Sequence, residues 1–250
     1  MQRQKELAAK SRGKVFSIHA KLIALAAQKG SDPAKNAHLA DAITAAKKDN
    51  VPADNIERAV KRGAGLDKDA AQIEEVYYEG YGPGGVAIIA KGLTDNRNRT
   101  APNVRHVFSK YGGALGETGS VSNFAFRHKG VAHFGPINDA NAFEEAVMGT
   151  DAEDYVVEPE GARVVCDSKK LASVVSALSI AGFPPESHGF EYLPNAEVEV
   201  GEFDKAFKVY RLVHDLGEDE DIEHVWHNAE FSDEMIAKIE EALESSRFRT

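Results

Sequence analysis

The segment Leu93-Thr94-Asp95-Asn96-Arg97-Asn98-Arg99-Thr100 brings two guanidinium groups to the point where a strand pattern gives way to a helical one. Cations at the start of a helix oppose its macrodipole, so Arg97 and Arg99 call for an anion between them. The free N–H groups of a first turn, together with two guanidinia, make a phosphate or carboxylate site. The competing reading is an internal salt bridge, with Glu79 or Glu117 as partner. Two further sets of cations are periodic. On a wheel at about 100° per residue, Arg3, Lys10, Lys14 and Lys21 share a face beside an apolar stripe. Arg58, Lys61 and Arg62 share another, opposite Ile56 and Val60. Such faces suit a phosphate backbone, where affinity comes from released counterions; the plainer alternative is a solvated face that binds nothing.

Other residue patterns do not assemble into chemistry. The stretch 80–85 is glycine-rich but lacks the Lys-Ser/Thr of a phosphate-binding loop. The stretch 112–119 follows a helix rather than a strand, the wrong order for a dinucleotide fingerprint. His224 and His227 have a spacing that ligates metal on a helix, yet they flank Trp226 in a strand pattern with no third ligand nearby. Cys166 is the only cysteine, so no intramolecular disulfide forms; Arg163-Val164-Val165-Cys166-Asp167 reads as a buried strand with an inert thiol. No Ser/His/Asp or Cys/His arrangement can be built from spacing. The expectation is a non-enzyme with no cofactor and no bound metal.

The elements that would position these residues form an α+β chain of three domains. Residues 1–70 read as a basic helical bundle. One helix carries Val15, Ile18, Leu22 and Leu25, the next Leu39, Ile43 and Ala46, and the third Ile56 and Val60, stopping at Gly63. Residues 64–72 look like a linker. Residues 73–130 plus 202–250 read as an α/β domain, with strands at 75–79 and 86–93, a helix at 101–111 and a further strand through Val121, Phe124 and Phe126. Residues 131–200 run βαββαβ, a ferredoxin-like inserted domain: strand 131–134, helix 140–148, strands 154–158 and 163–167, helix 169–181, strand 189–193. A helix at 203–216, a strand at 222–227 and a helix at 233–243 then return to the first sheet.

Charge follows the same division. Residues 1–70 hold 14 Lys+Arg against 8 Asp+Glu, residues 71–135 hold 7 against 5, and residues 136–250 hold 9 against 27. A net −10 thus hides a basic head at +6 and an acidic body at −18. No apolar run approaches the ~18 residues of a membrane span. Residues 1–13 are basic without the apolar stretch of a secretory signal, so the expected compartment is the cytoplasm.

Several long motifs, in order, resemble the YebC/PmpR family, whose mitochondrial relative is the translational activator of cytochrome c oxidase. They are Gly13-Lys14-Val15-Phe16-Ser17, Pro52-Ala53-Asp54-Asn55-Ile56-Glu57-Arg58-Ala59-Val60-Lys61-Arg62-Gly63, Tyr78-Glu79-Gly80-Tyr81-Gly82-Pro83-Gly84-Gly85-Val86, the 93–100 segment and Gly116-Glu117-Thr118-Gly119-Ser120-Val121. The resemblance implies the same three domains, and a regulator of transcription that binds DNA or a translation factor that acts on ribosomes. It brings no catalytic residue or cofactor. Two departures stand out: the family's short Gly-His-Ser-Lys-Trp segment ahead of the basic helix does not occur, and Asn123 stands where a Trp is usual.

The leading expectation is a non-catalytic regulator of gene expression that binds nucleic acid, either DNA or ribosomal RNA and tRNA. Lys10, Arg12, Lys14, Lys21, Arg58, Lys61 and Arg62 would hold phosphates, and Arg97, Arg99 and Arg105 would add a second surface. Ribosome association is mildly favoured, because the acidic body repels a long duplex lying across it, although screening beyond ~10 Å weakens that effect. Oligomeric state is open, with a monomer favoured, and no membrane partner is expected. The alternatives are a protein-interaction adaptor, which would survive charge reversal in the head, and an enzyme acting on an anionic substrate at Arg97 and Arg99.

Overall fold

The computed structural model describes residues 12–67 and 69–247. Two compact units divide the chain: one comprises residues 122–195, and the other is drawn from both sides of it.

The larger unit begins with three helices, α1 (Arg12–Ala27), α2 (Ala37–Lys48) and α3 (Ala53–Gly63). They bury Ile23 and Ala27 against Leu39, Ala46, Ile56 and Ala59. Asn36 caps α2 by accepting the Leu39 N–H and donates to Ala26 O and Gly30 O, so one side chain fixes the turn from α1 into α2. Gly63 lies so close to α1 that a Cβ there would stand 2.1 Å from Ala24 O.

The same unit holds an antiparallel sheet in the order β3-β1-β2-β9, with β1 (Glu74–Tyr81), β2 (Ala87–Thr94), β3 (Ala114–Leu115) and β9 (Ile222–His227). β2 is central, and Ala87, Ile88, Ile89 and Ala90 are all essentially inaccessible, which explains their unbroken apolar run. One sheet face packs on α4 (Arg97–Lys110), α8 (Phe203–Glu218) and α9 (Asp233–Arg247) through Val104, Phe108, Val209, Leu212 and Ile239. On the other face Glu79, cross-strand partner of Ile89, is buried and accepts the N–H groups of Gly119 and Val121. Two short strands, β8 (Val198–Glu199) and β10 (Ala229–Glu230), pair in parallel beside the sheet.

Residues 122–195 form the second unit. After a helical turn, α5 (Ser122–Ala125), come β4 (Phe126–Phe134), α6 (Ala140–Met148), β5 (Ala152–Glu158), β6 (Gly161–Asp167), α7 (Leu171–Ile180) and β7 (Ser187–Pro194). The sheet order β5-β6-β4-β7, with every pair antiparallel, is the ferredoxin-like βαββαβ arrangement. Its core is Phe134, Phe143, Val164, Cys166, Val174 and Leu178, so Cys166 is a buried core thiol whose pKa burial pushes up. The strand expected through Val121, Phe124 and Phe126 is corrected. Residues 122–125 are helical, Phe124 is exposed, and extended chain starts at Phe126.

Candidate nucleic-acid interface

Helix α4 starts at Arg97 because Asn96 caps it, its Oδ1 accepting the Arg99 N–H at 3.2 Å. That places Arg97 and Arg99 in the first turn, where an anion is needed. The protein supplies its own. Arg97 pairs with Glu74 at 2.7 Å, and Arg99 pairs with Asp95 at 3.1 Å and with both oxygens of Asp221 at 2.8 and 3.0 Å. The expected partners Glu79 and Glu117 are therefore replaced: Glu79 is committed to the 119–121 backbone, and the acids that serve are Glu74, Asp95 and Asp221.

Asp221 reaches this position through a β-bulge. The pairing of β2 with β9 slips between Lys91 and Gly92, and Leu93 N–H then donates to Asp221 O at 2.7 Å. The Asp221 carboxylate is almost wholly buried and accepts from Lys21 Nζ at 2.7 Å and Thr100 Oγ1 at 2.7 Å besides Arg99. With one proton on each hydroxyl, Thr94 Oγ1 donates to Thr100 Oγ1 at 2.8 Å and itself accepts the Asn96 N–H at 2.9 Å. Burial by itself would raise the Asp221 pKa, but the hydrogen bonds from Lys21, Arg99 and Thr100 outweigh it and hold the carboxyl at about 2.

The face shared by Lys14 and Lys21 on α1 meets this same segment. Lys14 is buried, and its Nζ donates to Gly217 O and to Asp219 O, the latter at 2.6 Å. Lys21 Nζ also donates to Glu220 O at 2.7 Å. Both lysines thus neutralise the carbonyl end of α8, where a helix dipole favours a cation. On α3, Arg62 donates to Ala71 O and pairs with Asp95 at 2.8 Å. Lys14, Lys21 and Arg62, which seem free in the sequence, are ties between the helical head and the rest of the larger unit.

The remaining expected residues face solvent. Arg58 is exposed and donates to Asn55 Oδ1; Lys61 is exposed and pairs with Glu57 one turn earlier at 2.7 Å. Arg12 and Arg105 are exposed and make no ion pair among the described residues. Lys10 and Arg3 lie outside the described residues. Asp95 accepts Arg62 through Oδ2 and Arg99 through Oδ1. One carboxylate between two guanidinia ties the last turn of α3 to the first turn of α4. Sequence reasoning missed Asp95 and Asp221 as organisers; an acid inside an Arg-rich segment was the available signal for Asp95.

The histidine spacing in β9 serves packing. His224 packs against Trp226 with ring centroids 4.5 Å apart and planes tilted by 49°, and His227 Nδ1 accepts the Ala229 N–H, with burial pushing its pKa down. Among the described residues no group of three or more His, Cys, Asp or Glu is placed to hold a metal ion. Among them too, no helix is long and apolar enough to cross a membrane.

Comparison with known proteins follows the same division. Residues 1–66 match the family described as TACO1/YebC protein N-terminal domain, and residues 73–229 that described as TACO1/YebC second and third domain. The chain is 40% identical over 240 residues to a "probable transcriptional regulatory protein" of Synechococcus sp., covering 96% of each. It is 40% identical over 234 residues to one of Proteus mirabilis, covering 93% of this chain and 92% of that one. A solved structure of a conserved hypothetical protein from Aquifex aeolicus is similar at TM-score 0.79 and 38% identity, over 89% of this chain and 91% of the other.

Proposed function

Because the chain belongs to the TACO1/YebC family, whose similar relatives are named as probable transcriptional regulators, we propose that it regulates gene expression by binding nucleic acid, without catalysis. The observation that carries this reading is the Asp95 bridge, which ties Arg62 of one basic segment to Arg99 of another; in this reading residues 58–62 and 97–105 form one basic ridge. Phosphates would contact Arg58, Lys61, Arg97 and Arg105, and Arg12 at the start of α1 would add a further cation. Arg62 and Arg99 would sit behind them, each able to share a phosphate with Asp95 because part of its guanidinium is exposed. Lys14 and Lys21 act as supports rather than as contacts. Exposed ion pairs are worth at most about 1 kcal/mol, so exchanging Glu57 or Glu74 for a phosphate costs the protein little.

The test is Arg58→Glu, Lys61→Glu, Arg97→Glu and Arg105→Glu together, assayed against labelled single-stranded RNA and duplex DNA over a salt titration. Four lost phosphate contacts should weaken binding and reduce the salt slope by about 3 on single-stranded RNA and by nearer ~4 on duplex DNA. Undiminished affinity with an unchanged slope would sink this reading. Crosslinking in cells followed by sequencing separates the two targets: promoter DNA supports a transcriptional role in the cytoplasm, and ribosomal RNA a translational one.

A further inference from the structure

Helix α7 has the sequence Leu171-Ala172-Ser173-Val174-Val175-Ser176-Ala177-Leu178-Ser179-Ile180, without one charge, although six of its residues are exposed. Solvated helix faces ordinarily carry Lys and Glu, so a bare outward face calls for an explanation. Beside it, the last turn of α6 and the turn that follows leave a groove of about 290 Å³, lined by Met148, Thr150, Asp151, Ser173, Val174 and Ala177. Met148 is 74% exposed, and Ile180, one turn beyond Ala177 on the same face, is 85% exposed. Small residues at 173 and 177 let a partner backbone approach closely, while a flexible Met adapts to its side chains. Single exposed apolar residues are unremarkable; two large ones bordering a charge-free helix and a groove are a surface.

The charge around the groove selects its occupant. Asp139 caps α6, Glu144 and Glu145 precede Met148 by one turn, and Asp151 is on the groove wall. Two cations stand at the start of α7: Lys170 is held by Asp151 at 3.2 Å, and Lys169 is exposed. Residues 122–195 hold five Lys/Arg against eleven Asp/Glu, a balance of −6. That field repels nucleic acid, anionic lipid and a second copy of the same unit, and attracts a basic peptide. We propose that the α6–α7 groove docks an amphipathic helix of a partner protein, aliphatic at i, i+4 and i+7 and flanked by Lys or Arg. This surface is independent of the basic ridge, and would let the protein hold a nucleic acid with one unit and a basic protein with the other.

The test uses the full chain and a labelled synthetic helix with Leu at i, i+4 and i+7 and Lys on its flanks, alongside the same peptide with Glu for Lys. The Lys peptide should bind saturably, the Glu peptide should not, and Met148→Lys with Ile180→Lys should weaken binding by about tenfold or more. Both positions are exposed, so the variant should melt like the parent. Its RNA and DNA affinities should be unchanged, which keeps this test separate from that of the ridge. Equal binding of the Glu peptide, equal binding by the variant, or no binding at all overturns the proposal. So does a dimer that dissociates on Ile180→Lys without any peptide binding, which would assign the face to a second copy.

Discussion

Lys21, Arg99 and Thr100 converge on one carboxylate, and its protonation state decides how strongly they are held there. Asp221 is held at about 2, against 3.8 for an ordinary Asp, and so is Asp215, where burial is outweighed by Tyr111, Lys110 and His214. A folded pKa below the unfolded one favours the native state whenever the group is ionised. Each acid therefore adds about 2 kcal/mol that is fully present above pH ~4 and lost as pH falls through ~2. Urea midpoints should fall steeply over that interval, and the fall should be shallower in Asp221→Asn. At neutral pH the same substitution keeps the shape but leaves Lys21 facing a neutral amide, and should cost about 3 kcal/mol in denaturant titrations. A loss below experimental error would mean that the three donors re-solvate freely. The periodicity of Lys14 and Lys21 was legible in the sequence; what that face meets was not, because the partner lies about 200 residues along the chain.

Helix α3 owes its place to the absence of a side chain. With Ala24 O only 2.1 Å from where a Cβ would stand, Gly63→Ala must push α3 off α1, costing about 1–3 kcal/mol of overpacking against a helix-propensity gain of at most about 1 kcal/mol. The variant should melt lower, and should disturb the Arg62–Asp95 pair one residue away, seen as a changed salt slope in nucleic-acid binding. Reading Gly63 as a helix stop was right about the boundary and silent about the contact. The helix expected at 101–111 starts four residues earlier, at Arg97, because Asn96 provides the cap. The short α5 escaped because Phe124 and Phe126 stand two apart like residues on one strand face, yet Phe124 is exposed to solvent. In the ferredoxin-like unit, by contrast, two full βαβ periods of apolar residues point into one core, and the element order was legible throughout.

At the scale of the molecule, the uneven charge has two distinct uses. Part of the positive charge in the head is spent inside the fold on residues 217–221 and on Asp95; what faces solvent is smaller than the sequence balance suggests. The unit of residues 122–195 is stitched shut at its own ends, since Asn195 donates to Ala125 O and Phe124 O and Phe126 pairs with Pro194. With its own core, it should unfold cooperatively as an isolated fragment, as calorimetry of residues 122–195 would reveal; a fragment lacking a thermal transition would show that the rest of the chain supports it. The larger unit has the opposite character. The lysines of α1 are among the first residues of the chain to be synthesised, and the carbonyls and carboxylate they grip come about 200 residues later. At about 5–20 residues per second, the nascent head waits some 10–40 s with Lys14 and Lys21 still bare. Completion of synthesis is therefore the event that sheathes them, so the half-made protein is a stickier polycation than the finished one.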